Sequence, residues 1–333
     1  MRCSGLMQNK NAELMTVAVV GANGFIGSSL THKLYAKGYN VRGIVRLKER
    51  FLKHNGHIEV FAVGEINNNT NWNDALKGIN VVIHLASRVH KLNDVSVNLL
   101  AEYRRVNTEG TQRLAEMSAG AGVKRLIFIS TIKVNGEKTA GDVFTENHLA
   151  HPQDPYAISK FEAEQSLHNI SDTTGLEVVI LRPPLVYGPG VKANFLRLLD
   201  MTNKNIPLPL SLVNNKRSMI YIGNLVDAIV KCIKHPDAAN QTFLVSDGQD
   251  ISTPELIRMI AKAMDKKARL FPCPTPLLKM IGRVLGKTAE IERLTSSLQI
   301  DSTKIRKTLD WTPPYTIEDG ITETVKGYKS RVL

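Results

Sequence analysis

The sequence predicts an α/β fold in which a doubly wound parallel sheet is joined to a smaller, mixed α/β C-terminal lobe. Short β-rich runs alternate with segments long enough for crossover helices, which indicates a parallel sheet with helices on both faces. After residue 181 the pattern becomes irregular and proline-punctuated, which predicts the lobe. The predicted strands are Thr16–Val20, Asn40–Val45, Ile58–Ala62, Val81–His84, Leu126–Ser130, Glu177–Leu181 and Thr242–Ser246.

Helices are predicted from apolar spacing and from start signals. Phe25–Lys37 and Glu109–Ala121 both have apolar residues at helical spacing. In the second half, Ser252 is a candidate N-cap because Glu255 follows three residues later, as in a capping box. The proline-rich segment Phe271–Pro276 is predicted to be a linker.

Composition excludes several classes of function. The net charge is +12, but the Lys and Arg residues are dispersed, so we expect no nucleic-acid partner. No apolar run approaches the roughly 18 residues of a membrane span, so no membrane insertion is expected. Cys3, Cys232 and Cys273 are too few and too widely spaced for a disulfide framework, and the nine histidines lack ligand spacing. We therefore expect a cytoplasmic protein without a metal.

A glycine-rich turn follows the first predicted strand. Gly21 permits the tight turn, Gly24 lets the backbone approach a pyrophosphate, and Gly27 lets helix and strand pack closely. The helix N-terminus then offers free N–H groups to an anion. This pattern predicts a Rossmann-type dinucleotide site, although its G-x-x-G-x-x-G spacing differs from the commonest fingerprint. Three further residues of the turn are predicted to contact the cofactor: Asn23, Phe25 and Ile26.

The chain is predicted to comprise an N-terminal extension, a dinucleotide-binding domain and a substrate lobe. Residues 1–14 are polar and precede the first strand, so they are interpreted as a disordered extension or an over-called start. The dinucleotide-binding domain is predicted to comprise 15–181 and 219–247. The substrate lobe is predicted to comprise 182–218 and 248–333.

The end of the second strand bears on the choice of cofactor. An acid there would accept from a ribose 2′-OH and repel a 2′-phosphate, but the strand ends in Val45 and Arg46. A guanidinium binds a phosphate in a bidentate manner. Arg46 therefore favours NADP(H), with NAD as the alternative, unless its side chain merely faces solvent.

Three residues form the candidate catalytic group. Tyr156 and Lys160 are four residues apart and so lie on one helical face. A free phenol has a pKa near 10, and a neighbouring cation favours its ionised form. Tyr156 could then exchange a proton with a carbinol oxygen while a hydride moves. Thr131, after the apolar run of the fifth strand, would orient the same oxygen.

These motifs resemble the extended short-chain dehydrogenase/reductase superfamily, in its branch acting on nucleotide-diphosphate sugars. The similarity runs from Thr16 to about Pro314, and the segment FISTIKVNG places the catalytic hydroxyl at Thr131, beside Ser130. The stretches IKVNGE, DPYAISKFEAE, LRPPLVYGPGVKANFLRLL and TFLVSDGQDISTPEL resemble UDP-N-acetylquinovosamine-type 4-ketoreductases of bacterial polysaccharide pathways. Two departures matter. Ile132 and Lys133 replace the Asp-Glu pair of dehydratases, which argues against dehydration, and an asparagine that often precedes the Val186-Tyr187-Gly188 element is missing.

The resemblance implies further site residues. His84 is expected to be a packed strand residue, whereas Ser87 and Arg88 would face the ligand crevice. The implied cofactor contacts are Leu85, Ala86, Ser130, Tyr156, Lys160 and Pro183. The implied substrate contacts are Arg88, Lys133, Asn194, Arg217 and Arg293. Asn194 would hold the nucleotide end of the substrate, and Arg217, joined by Arg293, would bind the diphosphate.

The resemblance and Arg46 together favour an NADPH-dependent 4-ketoreductase of a UDP-4-keto-6-deoxy-N-acetylhexosamine, acting in surface polysaccharide (O-antigen) synthesis. The alternative is an NAD-dependent UDP-glucose or UDP-N-acetylglucosamine 4-epimerase that uses the same residues. A dinucleotide-sensing regulator is disfavoured because the Tyr/Lys pair is present. By analogy, a homodimer is expected. The amphipathic segment Pro276–Leu285 is interpreted as a lobe helix covering the sugar pocket in preference to a membrane contact.

Overall fold

The computed structural model describes residues 15–48, 58–89 and 98–332, so the predicted extension 1–14 lies outside the described residues. The strands are β1 Thr16–Val20, β2 Asn40–Val45, β3 Glu59–Ala62, β4 Val81–His84, β5 Arg125–Ile129, β6 Glu177–Arg182, β7 Leu185–Tyr187, β8 Met219–Tyr221 and β9 Gln241–Leu244. The helices are α1 Phe25–Ala36, α2 Asn73–Leu76, α3 Leu99–Tyr103, α4 Gly110–Gly120, α5 Pro155–Thr174, α6 Ala193–Asn203, α7 Ile222–Lys234, α8 Thr253–Ala263, α9 Thr275–Val284, α10 Thr288–Thr295, α11 Thr303–Leu309 and α12 Ile317–Val332.

The main sheet is parallel and confirms the predicted fold class. Its strand order is β3-β2-β1-β4-β5-β6-β9, and β1 pairs in parallel with both β2 and β4. The chain therefore winds outward in two directions from the β1/β4 pair. In such sheets ligands bind beyond the carboxyl ends of the strands, at the point where the winding reverses.

Alternate residues of β1 face two different apolar clusters. Val17 and Val19 pack into the cluster that contains Leu30 of α1, whereas Ala18 and Val20 pack into the one that contains Leu114 of α4. Side chains of a strand alternate between the two faces of its sheet, so both faces are buried. This burial explains the nearly continuous apolar character of the strands.

The predicted strands differ from the observed ones only near their ends, but two short strands were missed. β7 and β8 form a separate parallel pair, with Leu185 opposite Met219. The predicted boundary at residue 219 assigned β8 to the dinucleotide domain, yet β8 pairs with β7 of the lobe. Three-residue strands have too little alternation to be recognised in a sequence.

Asp247 ties this small sheet to the segment that follows β9. Its carboxylate accepts hydrogen bonds from the Tyr187 hydroxyl (2.8 Å), the Tyr221 backbone N–H (2.8 Å) and the Asn224 amide (2.7 Å). Tyr187 and Asn224 are fully buried. One acid thus connects β7, β8 and α7 to the main sheet.

Local signals in the second half are partly confirmed. Ser252 caps α8 in a complete capping box with Glu255, as predicted. The predicted linker Phe271–Pro276 is shorter, because α9 already begins at Thr275. The lobe helix predicted over Pro276–Leu285 is present, but most of its apolar side chains are exposed.

Candidate active site

The glycine turn lies at the reversal point of the sheet, where β1 and β4 end. Gly21 has a φ of +89°, and its N–H donates to the Ile44 carbonyl at 2.8 Å. A Cβ on Gly21 would lie 2.9 Å from the backbone nitrogen of Ala86, so only glycine fits. The N–H groups of Leu85 and Ala86 both donate to the Val20 carbonyl. The predicted contacts Leu85 and Ala86 are therefore beside the turn.

The N-terminus of α1 is open to an anion. Gly24 is the N-cap residue and provides no side-chain cap, and the first turn of α1 contains no acidic residue. Asn23 is exposed, and Phe25 and Ile26 are half-buried. A Cβ on Gly27 would lie only 2.2 Å from the Gly21 carbonyl oxygen. The chain here fits a dinucleotide pyrophosphate, which would take up the free N–H groups.

A second feature fits a bound cofactor at the end of β5. Ser130 is 4% exposed, and its hydroxyl has no hydrogen-bond partner among the described residues. Buried hydroxyls are normally satisfied, so this group is available to a ligand. Pro183 is buried, and its carbonyl accepts from the Ile132 N–H at 2.9 Å, which fixes the turn that carries Thr131.

Tyr156 lies in the first turn of α5, two residues after the capping residue Asp154. Its ring contacts Tyr103 edge-on, with 6.1 Å between centroids. Burial raises the pKa of Tyr156 to about 12, although a hydrogen bond with Ser87 lowers it. The predicted lowering of this pKa by Lys160 is therefore not seen in this structure, since removing water from the phenolate has the larger effect.

Lys160 lies one helical turn after Tyr156 and is 2% exposed. Its ammonium is 3.8 Å from the centroid of the Phe128 ring. Burial lowers the pKa of Lys160 to about 7, although the charge of Glu164 raises it. Glu164 is itself held by a buried ion pair with Arg182. Lys160 is thus poised between its two protonation states near neutral pH.

The lowered pKa of Lys160 predicts a pH dependence of stability. Below its folded pKa, folding buries a charged amine; above it, the unfolded chain binds more protons, so the free energy of unfolding rises with pH. Between about pH 7 and pH 9 this contribution is roughly 2–3 kcal/mol. Urea unfolding of dinucleotide-stripped protein should show this rise, and Lys160→Met should remove it. Equal slopes in both proteins would contradict the assignment.

His84 is a packed strand residue, as predicted. It is 1% exposed, and its Nε2 lies 3.0 Å from the Thr111 hydroxyl. Burial, followed by the charge of Lys160, lowers the pKa of His84 to about 3. A neutral imidazole at working pH is a structural group and not an acid.

Asn107 organises the loop after β4, and it is not among the site residues predicted from the sequence. Its amide oxygen accepts from the Ser87 hydroxyl (3.1 Å) and the Arg88 N–H (2.8 Å), and its amide nitrogen donates to the Ser159 hydroxyl (3.0 Å). Asn107 lies in a π-helical turn, Arg104–Glu109, of a kind frequent at functional sites. Its burial is a property of the folded chain, so the sequence contains no signal that would have selected it.

Two of the predicted substrate contacts, Arg88 and Lys133, form ion pairs with acidic side chains. Arg88 pairs with Glu102 at 3.5 Å. The Lys133 ammonium contacts Glu137 at 2.8 Å and Asp154 at 2.6 Å. Burial lowers the pKa of Lys133, but these two partners raise it overall. Lys133 therefore supports the N-terminus of the helix that carries the catalytic tyrosine, and its role as a substrate contact stays a prediction.

Arg217 and Arg293 lie close together, and their contact with a diphosphate stays a prediction. The Arg217 guanidinium donates to the carbonyls of Arg293 (3.1 Å) and Ser296 (3.2 Å). Burial, followed by the charge of Arg293, lowers the pKa of Arg217. Two adjacent cations favour an anion between them. Asn194 is exposed in the first turn of α6, and its contact with a nucleotide stays a prediction.

Arg46 is exposed directly after β2, and its neighbours Leu47 and Lys48 are also exposed. This placement leaves it accessible to an adenosine phosphate, and it equally fits the alternative of a solvent-facing side chain.

Within residues 15–48, 58–89 and 98–332, the metal-ligating side chains form no group of three or more suited to one ion. No helix in those ranges combines the length and apolar content needed to cross a bilayer.

Comparison with known proteins extends these observations. The profile of the NAD dependent epimerase/dehydratase family matches residues 17–246. A UDP-glucose 4-epimerase of Vibrio cholerae is 45% identical over 316 residues, which cover 94% of this chain and 95% of that protein. The N-acetyl-alpha-D-glucosaminyl-diphospho-ditrans,octacis-undecaprenol 4-epimerase of Escherichia coli O157:H7 is 26% identical, covering 93% and 94% of the two chains.

Solved structures share the whole architecture. MoeE5 in complex with UDP-glucose and NAD superposes with a TM-score of 0.77 at 25% identity, covering 96% of this chain and all of that one. UDP-glucuronic acid 4-epimerase from Bacillus cereus in complex with NAD has a TM-score of 0.78 at 24% identity, over 96% of this chain and all of that one. Because the Bacillus cereus enzyme is only 24% identical to this chain, its similarity shows the fold alone.

Proposed function

This chain belongs to the NAD dependent epimerase/dehydratase family, and we propose that it is a 4-epimerase of UDP-hexoses or UDP-N-acetylhexosamines. The observation that carries the proposal is that Tyr156 and Lys160 lie one turn apart on α5, with the Lys160 ammonium 3.8 Å from the centroid of the Phe128 ring in β5. The 45% identical relative favours epimerisation over the ketoreduction predicted from the sequence. The reaction is reversible inversion at C4 of the sugar.

Tyr156 is proposed as the acid and base of this reaction. A bound nicotinamide dinucleotide supplies reversible hydride acceptance. The phenol takes the proton of the C4 hydroxyl as C4 is oxidised to a ketone, and returns a proton to the oxygen after the sugar has presented its other face. Oxidation and reduction at C4 cancel over one turnover, so a bound dinucleotide would not be consumed.

Other residues position the Tyr156 hydroxyl and the sugar oxygen between which the proton moves. Lys160 lies one turn after Tyr156 on α5, and its protonated form would favour the phenolate, although burial outweighs this effect in this structure. The Ser87 hydroxyl bonds to Tyr156 and is itself held by Asn107. Thr131 is half-buried at the end of β5 and uses its side chain to accept from the Lys133 N–H at 3.3 Å. Its hydroxyl hydrogen therefore remains available to the sugar oxygen.

The test is turnover without added cofactor. Purified protein is incubated with UDP-glucose and, separately, with UDP-N-acetylglucosamine, and the products are separated by chromatography. We expect the corresponding C4 epimer to form, and we expect denatured protein to release NAD. Absence of any epimer, with dinucleotide still bound, would contradict the proposal.

Ketoreduction is the second candidate, and one observation favours it. Arg46 follows β2 without an acidic neighbour among residues 43–48, a pattern that suits NADP(H). A reductase would oxidise NADPH stoichiometrically with UDP-4-keto-6-deoxy-N-acetylhexosamine and would leave UDP-N-acetylglucosamine unchanged. NADPH consumption, followed at its absorbance maximum, therefore separates the two candidates.

Arg217→Gln tests the proposed diphosphate site. Because a hydrogen bond to a charged group is worth about 1.5–3 kcal/mol, we expect KM for the UDP-sugar to rise about 10- to 100-fold with a much smaller change in kcat. Arg258→Gln, on the exposed side of α8 in the same lobe, is the matched control and should leave KM unchanged. A fall in kcat at constant KM would contradict this assignment.

A homodimer and a cytoplasmic location stay predictions. Light scattering of the purified protein measures the first, and fractionation of cells measures the second.

A further inference from the structure

An exposed apolar face runs along α9, in a part of the lobe that the proposed chemistry does not use. Met280 is 56% exposed and Val284 is 82% exposed. Together with Leu277, Ile281 and Leu285, which are also exposed, they recur every three or four residues and so lie on one side of the helix. We call these five residues the α9 face.

The opposite side of the helix is the one that packs on the protein. Leu278 is 3% exposed, and a Cβ on Gly282 would lie 2.7 Å from the Ile291 side chain of α10. The helix is therefore held by its small and buried residues, and the α9 face is turned away from the lobe. Exposed apolar side chains clustered on one helix indicate an interaction surface, whereas scattered ones do not.

The charge around the face identifies its partner. Residues 266–289 contain six Lys or Arg residues and no Asp or Glu. Lys279, Arg283 and Lys287 are exposed on α9 or just after it. Pairing two copies of this chain through the face would bring like charges together, which is unfavourable. An anionic surface would neutralise them.

We propose that the α9 face docks on the anionic surface of a phospholipid bilayer. The helix would lie in the plane of the interface, with its apolar side chains among the acyl chains and its basic side chains extended toward the headgroups. Each basic residue near such a surface adds attraction that salt weakens. This contact is peripheral and requires no spanning segment.

The test is flotation of the full-length protein with vesicles. We expect binding to vesicles of equal parts phosphatidylglycerol and phosphatidylcholine, and at least about tenfold weaker binding to pure phosphatidylcholine or at high salt. Met280→Glu combined with Val284→Glu should lower the partition coefficient by about tenfold or more. The matched control is Leu149→Glu, because Leu149 is a single leucine 91% exposed elsewhere, and it should bind like the wild type.

A second set of variants removes charge and leaves the apolar face intact. Glutamine at Lys279, Arg283 and Lys287 should weaken binding to anionic vesicles by at least about tenfold. The control replaces three other exposed lysines by glutamine and should not weaken binding to anionic vesicles. These control positions are Lys37, Lys77 and Lys124.

Three results would overturn the proposal. The first is wild-type protein that floats with neither kind of vesicle. The second is that both sets of variants bind anionic vesicles as tightly as the wild type. Either result would exclude the lipid contact. The third is a double glutamate variant that converts a dimer to a monomer in light scattering while vesicle binding is unchanged, which would assign the face to self-association. Epimerisation of UDP-sugars in solution should continue in every variant, so failure here is distinguishable from failure of the proposed reaction.

Discussion

Tyr156→Phe is expected to lower kcat by about 10³-fold, because it removes the group that exchanges a proton with the sugar oxygen. The ring and its edge contact with Tyr103 are retained, so the helix should keep its position. Dinucleotide affinity should change by less than about threefold, since a single hydroxyl contact is at stake. Turnover and cofactor binding, measured on the same preparation, give both quantities.

The matched control is Tyr35→Phe, which removes a phenol that is 51% exposed on α1. It should leave kcat unchanged. If Tyr156→Phe retained more than about a tenth of the wild-type kcat, proton exchange would have to be assigned to another group.

Gly27→Ala is expected to disrupt the dinucleotide site. The new methyl would meet the Gly21 carbonyl oxygen at 2.2 Å and the Ala22 Cα at 2.9 Å, both of which are backbone atoms and cannot rotate away. We expect the free energy of unfolding to fall by about 2–3 kcal/mol. We also expect dinucleotide affinity to fall at least about 100-fold, equivalent to about 2.7 kcal/mol.

Gly120→Ala is the matched control for this substitution. Gly120 is exposed at the end of α4, and a Cβ there meets no atom within 4 Å. Alanine should leave activity unchanged and stabilise the protein by up to about 1 kcal/mol. Thermal unfolding with and without NAD measures both variants, and an unchanged affinity in Gly27→Ala would contradict the proposed role of the turn.

The features predictable from the sequence are those governed by neighbouring residues. The seven strands of the main sheet follow from their apolar runs, and the Ser252 cap follows from a spacing of three residues. The positions of Tyr156 and Lys160 on one helical face follow from helical periodicity alone. Each of these inferences needs only local geometry.

The remainder depends on contacts between distant segments. Asn107 reaches Ser87 and Ser159, which lie 20 and 52 residues away in the chain. The pKa of Tyr156 depends on how much water the fold excludes, which a motif does not encode. The segment Pro276–Leu285 was predicted to be a lobe helix that covers the sugar pocket, and the helix is confirmed. Amphipathicity shows that one side of a helix is apolar, but it does not show what lies against that side.

The carboxylate of Asp247 has a mechanical consequence for how a sugar nucleotide enters. Its three hydrogen bonds reach separate segments and act as a cross-brace, which resists displacement of β7, β8 and the start of α7 relative to the segment after β9. We therefore expect the small sheet to keep its position on the main sheet when a sugar nucleotide enters.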